Sequence, residues 1–144
     1  MEQRFTFSKQ EKLSGETAVN ELFLKGASFI VYPIRVVWTA SQADDSSSLQ
    51  VLMSVPKKKL KHAVDRNRVK RLLREAYRLN KNSLTAVTTE QNLQVRMAFV
   101  WIPAEVFYFS KVEKKVFDAL EKMQKILAAY AAEVKITIHT PISD

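Results

Sequence analysis

The spacing of apolar residues changes character several times along this chain, and each change marks an element. Between Ser14 and Gly26, Ala18, Val19, Leu22 and Phe23 recur at helical spacing, with Ser14 placed as an N-cap and Gly26 as a stop. From Ser28 to Ala40 the period drops to two. Ile30, Tyr32, Ile34, Val36 and Trp38 alternate onto one face, which predicts a strand, and Pro33 implies an edge position or a bulge because it cannot donate to a ladder. The polar patch Asp44-Asp45-Ser46-Ser47-Ser48 predicts a turn, and Leu49 to Val55 a second strand completing a hairpin, closed by Pro56. After a polar connector from Asn82 to Asn92, Leu93 to Ile102 predicts a third strand with Val95, Met97, Phe99 and Trp101 on one face. Ser110 to Glu113 has the form of a capping box, and Val112, Val116, Leu120, Met123, Leu127 and Tyr130 extend a long amphipathic helix to about Ala132. Val134 to His139 alternates as a short fourth strand would, with an untethered end as the equal alternative. These elements predict an α+β fold, a two-layer sandwich of a small mixed four-stranded sheet packed by helices.

The segment from Lys57 to Lys81, KKKLKHAVDRNRVKRLLREAYRLNK, changes the picture most. It holds eleven of the 23 Lys and Arg residues and only two of the 15 acids, so its formal charge is 11 − 2 = +9, against +8 for the whole chain. The rest of the molecule therefore sums to −1, and the protein has one basic face. Val69, Leu72, Leu73, Ala76 and Tyr77 define a buried helical stripe. At about 100° per residue, Asn67, Lys70, Arg71, Arg74, Arg78 and Lys81 share the opposite sector, with Arg66 and Arg68 on its shoulders. A solvated helix face interleaves acids with bases, whereas here only Glu75 can pair, with Arg71 or Arg78. Arginine outnumbers lysine five to two between Arg66 and Lys81, which favours bidentate phosphate contacts. Lys57, Lys58, Arg66, Asn67, Arg68, Lys70, Arg71, Arg74 and Arg78 are the candidate set for binding a polyanion such as RNA.

The run Arg66-Asn67-Arg68-Val69-Lys70-Arg71-Leu72-Leu73-Arg74-Glu75-Ala76-Tyr77-Arg78, preceded by the strand-like Leu52-Met53-Ser54-Val55 and by Lys57-Lys58, resembles the signature of the bacterial ribonuclease P protein subunit. The RNR core, the KR pair and the RE pair all keep the family's spacing, and the order of flanking elements is similar over most of residues 5 to 130. The resemblance implies a small basic protein that assists a catalytic RNA in removing the 5′ leader from precursor tRNA. It also implies a left-handed crossover between parallel strands, where general physics favours a right-handed one. The first helix and one sheet face would wall a cleft for the single-stranded leader, with Phe23, Tyr32 and Arg96 as cleft residues. Phe23 fits either a stacking surface or the core. The sequence departs from the family pattern at Val19, where an aromatic is common, and at Trp101-Ile102-Pro103, where bases are common.

With 144 residues and 47% hydrophobic content, one domain over residues 13–132 is expected, with an extended basic and aromatic arm at 1–12 and a tail at 133–144. The absence of cysteine excludes disulfides and thiolate chemistry, and two glycines, Gly15 and Gly26, cannot build a phosphate loop. His62 and His139 have no recognisable partners and the acids are scattered, so no catalytic or metal-ligating residue is assigned to the protein. Magnesium, held mainly by phosphates of the RNA partner, is the expected cofactor, and no small-molecule cofactor is expected. The start, MEQRFTFSKQ, has no apolar signal core and no apolar run approaches a membrane span, so a cytoplasmic protein without a membrane partner is expected. A non-catalytic RNA-binding module of ribosomal type is the alternative, and the RNR spacing is what separates the two.

Overall fold

The computed structural model describes residues 7–44 and 46–139, the last six by their backbone alone. Its sheet is built around β4 (Leu93–Trp101), the strand with the most continuous apolar content. Leu93, Val95, Met97, Phe99 and Trp101 are buried on one face and Ala98 on the other, and a strand covered on both faces belongs in the middle of a sheet. The strand order is β1-β2-β4-β3. β2 (Ile34–Gln42) runs antiparallel to β4 along its whole length, Ile34 opposite Trp101 and Gln42 opposite Leu93. β3 (Ser48–Ser54) lies parallel on the other side, Leu49 opposite Val95 and Met53 opposite Phe99. The polar turn after β2 therefore does not close a hairpin, because β4 separates the two strands it joins.

The single strand expected over residues 28–40 is in fact two. Tyr32 and Pro33, joined by a cis peptide bond, form a two-residue reversal that sets Val31 opposite Ile34 and makes β1 (Ala27–Val31) an outer strand on β2. Ahead of the reversal the facing positions are shifted from those expected. Phe29 and Val31 pack towards the main core, while Ile30 points away and is 61% exposed. β1 is thus the fourth strand. The stretch Val134–His139, expected as a strand or a loose end, continues the last helix instead, because nothing breaks the helical run before it.

Three helices cover the main face. α2 (Ala63–Asn80) buries Val69, Leu73, Ala76 and Tyr77, the stripe read from the sequence. α3 (Asn82–Glu90) occupies what looked like a polar connector, since Leu84 and Thr88, with Val87 half-buried, put one narrow inner face on a hydroxyl-rich segment. α4 (Phe109–His139) begins just before Ser110, with the Val112 N–H donating to Tyr108 O at 3.2 Å, so the expected capping box lies inside its first turn. On the opposite face, α1 (Glu16–Lys25) sets Ala18, Val19 and Leu22 against Val37, Leu52, Ala98 and Val100. Its N-cap is Gly15, at φ 95°, rather than Ser14. A Cβ at Gly26 would stand 2.5 Å from Leu22 O and 2.7 Å from Val37 Cγ1, so only glycine lets β1 leave the helix so tightly against β2.

Residues 7–13 are a docked strap rather than an extended arm. A 3₁₀ turn covers Lys9–Glu11, the Ser8 N–H donates to Glu11 Oε2 at 2.6 Å, and the Glu11 carboxylate forms an ion pair with buried Lys81. Lys12 then bridges Val51 at the edge of β3, where the Leu13 N–H donates to Val51 O at 3.0 Å. Arg4 and Phe5 of the expected arm, Asp45 of the turn and residues 140–144 of the tail lie outside the described residues.

Candidate nucleic-acid interface

α2 turns its apolar stripe inwards and its cations outwards, but packing sorts those cations into two groups. Arg68, Arg71 and Arg74 are exposed and Lys70 is half-buried, and among the described residues none of the four has a hydrogen-bond or ion-pair partner. Asn67 is exposed beside them, and Lys57 and Lys58 are exposed on the turn that leaves β3. The second group is engaged. Arg78 donates from Nη2 to Glu75 Oε1 at 2.6 Å and from Nε to Oε2 at 3.1 Å, a pairing that holds the Glu75 carboxyl below its ordinary range and raises Arg78. Arg66 Nη1 donates to Leu60 O at 2.9 Å and Lys61 O at 2.7 Å, so the first arginine of the RNR run clamps the loop ahead of its own helix. Lys81, placed by helical arithmetic in the basic sector, is only 3% exposed. The helix ends at Asn80, and the turn into α3 carries Lys81 inwards to Glu11.

Phe7 and Lys12 of the strap, together with Asn67, Arg71, Arg74 and the paired Glu75 and Arg78, surround a hollow of about 460 Å³. The alternation of bases and aromatics in this arm is visible in the sequence, but its docking against α2 depends on contacts distant along the chain.

A second hollow, of about 380 Å³, opens on the other face of the sheet between α1 and the strands, lined by Glu21, Lys25, Thr39, Ser41, Gln94 and Arg96. Arg96 is therefore where a leader cleft would need it. Phe23 does not line this hollow; it belongs to neither apolar cluster and is 41% exposed on α1, which leaves its ring at the surface. Tyr32 is not brought to Arg96. The Pro33 reversal puts it beside Phe107 at 6.2 Å, at the end of β2 where Ile34 faces Trp101, whereas Arg96 faces Thr39. Those positions lie five steps apart along β4, about 17 Å of strand. Thr39, Ser41 and Gln94 occupy the half of each strand's alternation that faces away from the main core, and that outward half is their signal in the sequence. Among the described residues no group of three or more acidic or histidine side chains is placed to hold a metal ion, and no helix is long and apolar enough to cross a membrane.

A family model described as Ribonuclease P matches residues 7–124, which include α2, both hollows and the whole sheet. The chain belongs to the ribonuclease P protein family. It is 40% identical over 130 residues to the ribonuclease P protein component of Porphyromonas gingivalis, covering 90% of each chain, and 38% identical over 94 residues to that of Chlorobaculum tepidum, covering 60% of this chain and 61% of the relative. Two solved structures share the fold. The RNase P protein of Thermotoga maritima superposes with a TM-score of 0.59 at 21% identity, covering 78% of this chain and 96% of that one. The Staphylococcus aureus protein gives 0.57 at 20% identity, covering 83% and 99%. The family match stops at residue 124, whereas α4 continues to His139, with Leu127 and Ala131 buried in the part beyond.

Proposed function

We propose that this chain is the RNA-holding protein of a ribonuclease P particle in the cytoplasm. α2 grips a catalytic RNA, the hollow under α1 receives the 5′ leader of precursor tRNA, and cleavage is left to the RNA. The observation that carries this reading is the set of four cations on α2, within the RNR run, whose donors no other described residue takes up. Arginine forks on a rigid helix suit phosphate oxygens, and α2 advances about 1.5 Å per residue, enough from Asn67 to Arg74 to follow consecutive phosphates. This chain's described side chains form no carboxylate cradle, so the proposal assigns magnesium to RNA phosphates. The two basic hollows lie on opposite faces of the sheet, an arrangement that lets one protein hold two RNA segments at once.

The test is reconstitution. The purified protein alone should cleave no precursor tRNA at any magnesium concentration, and added to a catalytic RNA of this type it should lower the magnesium needed, since its cations replace part of the counterion atmosphere. Efficient cleavage by RNA-free protein would overturn the reading.

A further inference from the structure

The hollow between the strap and α2 contains a feature that gripping phosphates does not require. Phe7 is the outermost of three rings in series, edge-on to Tyr77 with centroids 5.5 Å apart, and Tyr77 is in turn edge-on to Phe99 at 5.9 Å. The inner two are fully buried, and burial pushes the Tyr77 phenol well above its ordinary range, so the support under Phe7 stays neutral. The backbone on the C-terminal side of Phe7 is fixed by the Ser8–Glu11 hydrogen bond, the Glu11–Lys81 ion pair and the Leu13–Val51 hydrogen bond. Phe7 itself remains only partly buried and lines the hollow. A half-exposed aromatic held in one place has already lost the freedom that binding would otherwise have to remove.

Around that ring stand groups suited to the rest of one nucleotide. Asn67 offers an amide that both donates and accepts, while Arg71 and Arg74 supply guanidinium forks that no other described residue engages. Lys12 Nζ lies over the Phe7 ring, 5.6 Å from its centroid, and the paired Glu75 and Arg78 complete the lining. The volume, about 460 Å³, falls within the range of small-ligand sites, roughly 300–1,000 Å³. RNA helices are recognised by shape and backbone, whereas unstacked bases are recognised by aromatic stacking combined with edge hydrogen bonds.

We propose that the hollow is a socket for a single unstacked nucleotide of the RNA partner, its base laid on Phe7 with an edge towards Asn67 and its phosphate held by Arg71 and Arg74. This rests on the RNA-binding function proposed above and adds a nucleotide-specific contact on a face otherwise described only by charge. The competing account is that Phe7 merely anchors the strap.

Phe7→Leu separates the two, because leucine keeps an apolar contact with Tyr77 but removes the stacking face. Wild type, Phe7→Leu and Phe7→Trp are compared for binding to a ribonuclease P RNA, with backbone flexibility of the RNA probed at nucleotide resolution. The leucine variant should bind roughly 5- to 150-fold more weakly, with unchanged salt dependence and melting temperature, and one or two discrete nucleotides should become flexible. The tryptophan variant should bind at least as well as wild type. Binding of Phe7→Leu within twofold of wild type, or a loss accompanied by a lowered melting temperature, would overturn the socket in favour of an anchor. If wild type fails to prefer this RNA over an unrelated RNA of equal length, the functional reading falls and the socket is judged on a labelled single-stranded hexanucleotide. A drop in affinity with Phe7→Leu then sustains it, and equal affinities overturn it.

Discussion

Because the fold divides the α2 cations into spent and unspent groups, the salt dependence of RNA binding should divide the same way. Helical arithmetic alone puts seven cations on this face, and if about six of them reached phosphates, about 0.7 counterions each would give a slope of log K against log salt near −4. The structure removes Lys81, buried with Glu11, and largely offsets Arg78 with Glu75, while Arg66 is partly spent on two loop carbonyls. Arg68, Lys70, Arg71 and Arg74 remain, so α2 should contribute about −3, or about −3.5 on duplex RNA. Differences between variants isolate this helix from the exposed loop lysines. Arg74→Ala should reduce the magnitude of the slope by about 0.7–0.9, and the Arg71→Ala/Arg74→Ala double variant by about 1.4–1.8. Arg78→Ala should change it by less than half as much as Arg74→Ala, since its charge is already met by Glu75. Fluorescence anisotropy with a labelled RNA across a potassium series reads these slopes directly. Exposed substitutions of this kind cost within about 0.5 kcal/mol of stability, so melting temperatures should move by no more than about 2 °C. Equal slope changes for Arg74→Ala and Arg78→Ala would refute the division, and a large loss of stability in the double variant would make the face structural.

Phe23→Ala should weaken binding of a precursor tRNA with its leader by about 1–3 kcal/mol while leaving mature tRNA unaffected, because the exposed ring on α1 can stack on a base; equal losses for both ligands would exclude it from the cleft. Lys81→Met should cost about 2 kcal/mol in urea unfolding. Breaking a buried pair typically costs about 3–5 kcal/mol, and water reaching the Glu11 carboxylate, 27% exposed, relieves part of that; unchanged stability would mean that the pair is not holding the strap.

The elements that the sequence identified best were those whose apolar period was both long and pure. Val69, Leu73, Ala76 and Tyr77 on α2 and the alternating residues of β4 lie where the pattern placed them, since burial on one side and solvent on the other leave no second solution. Failures came where the deciding contact was distant in sequence. Pro33 signalled an irregularity, but whether it bulges a strand or reverses it depends on β1 finding β2. Likewise, β3 pairs with β4 rather than with β2 because the crossover returns between them, which no local residue announces. α3 was hidden by threonines and serine, whose preference for turns is outweighed by packing Leu84 against the core. For the interface, charge was legible and its availability was not. That Arg66 turns back on a loop and Lys81 turns inwards follows from tertiary placement, and so does the meeting of Phe7 with α2.

The strap has a consequence for the behaviour of the protein in solution. A sheet edge with unpaired amides is a template for another chain, and proteins keep such edges short or covered. Lys12 and Leu13 lie along the seven-residue β3 and take up its Val51 carbonyl, which leaves the outer edge of β1, a strand of five residues, as the one with no strand neighbour among the described residues. The same short segment that presents Phe7 also guards the sheet against edge-to-edge self-association, so shortening the N-terminus would trade a weaker RNA contact for a stickier protein.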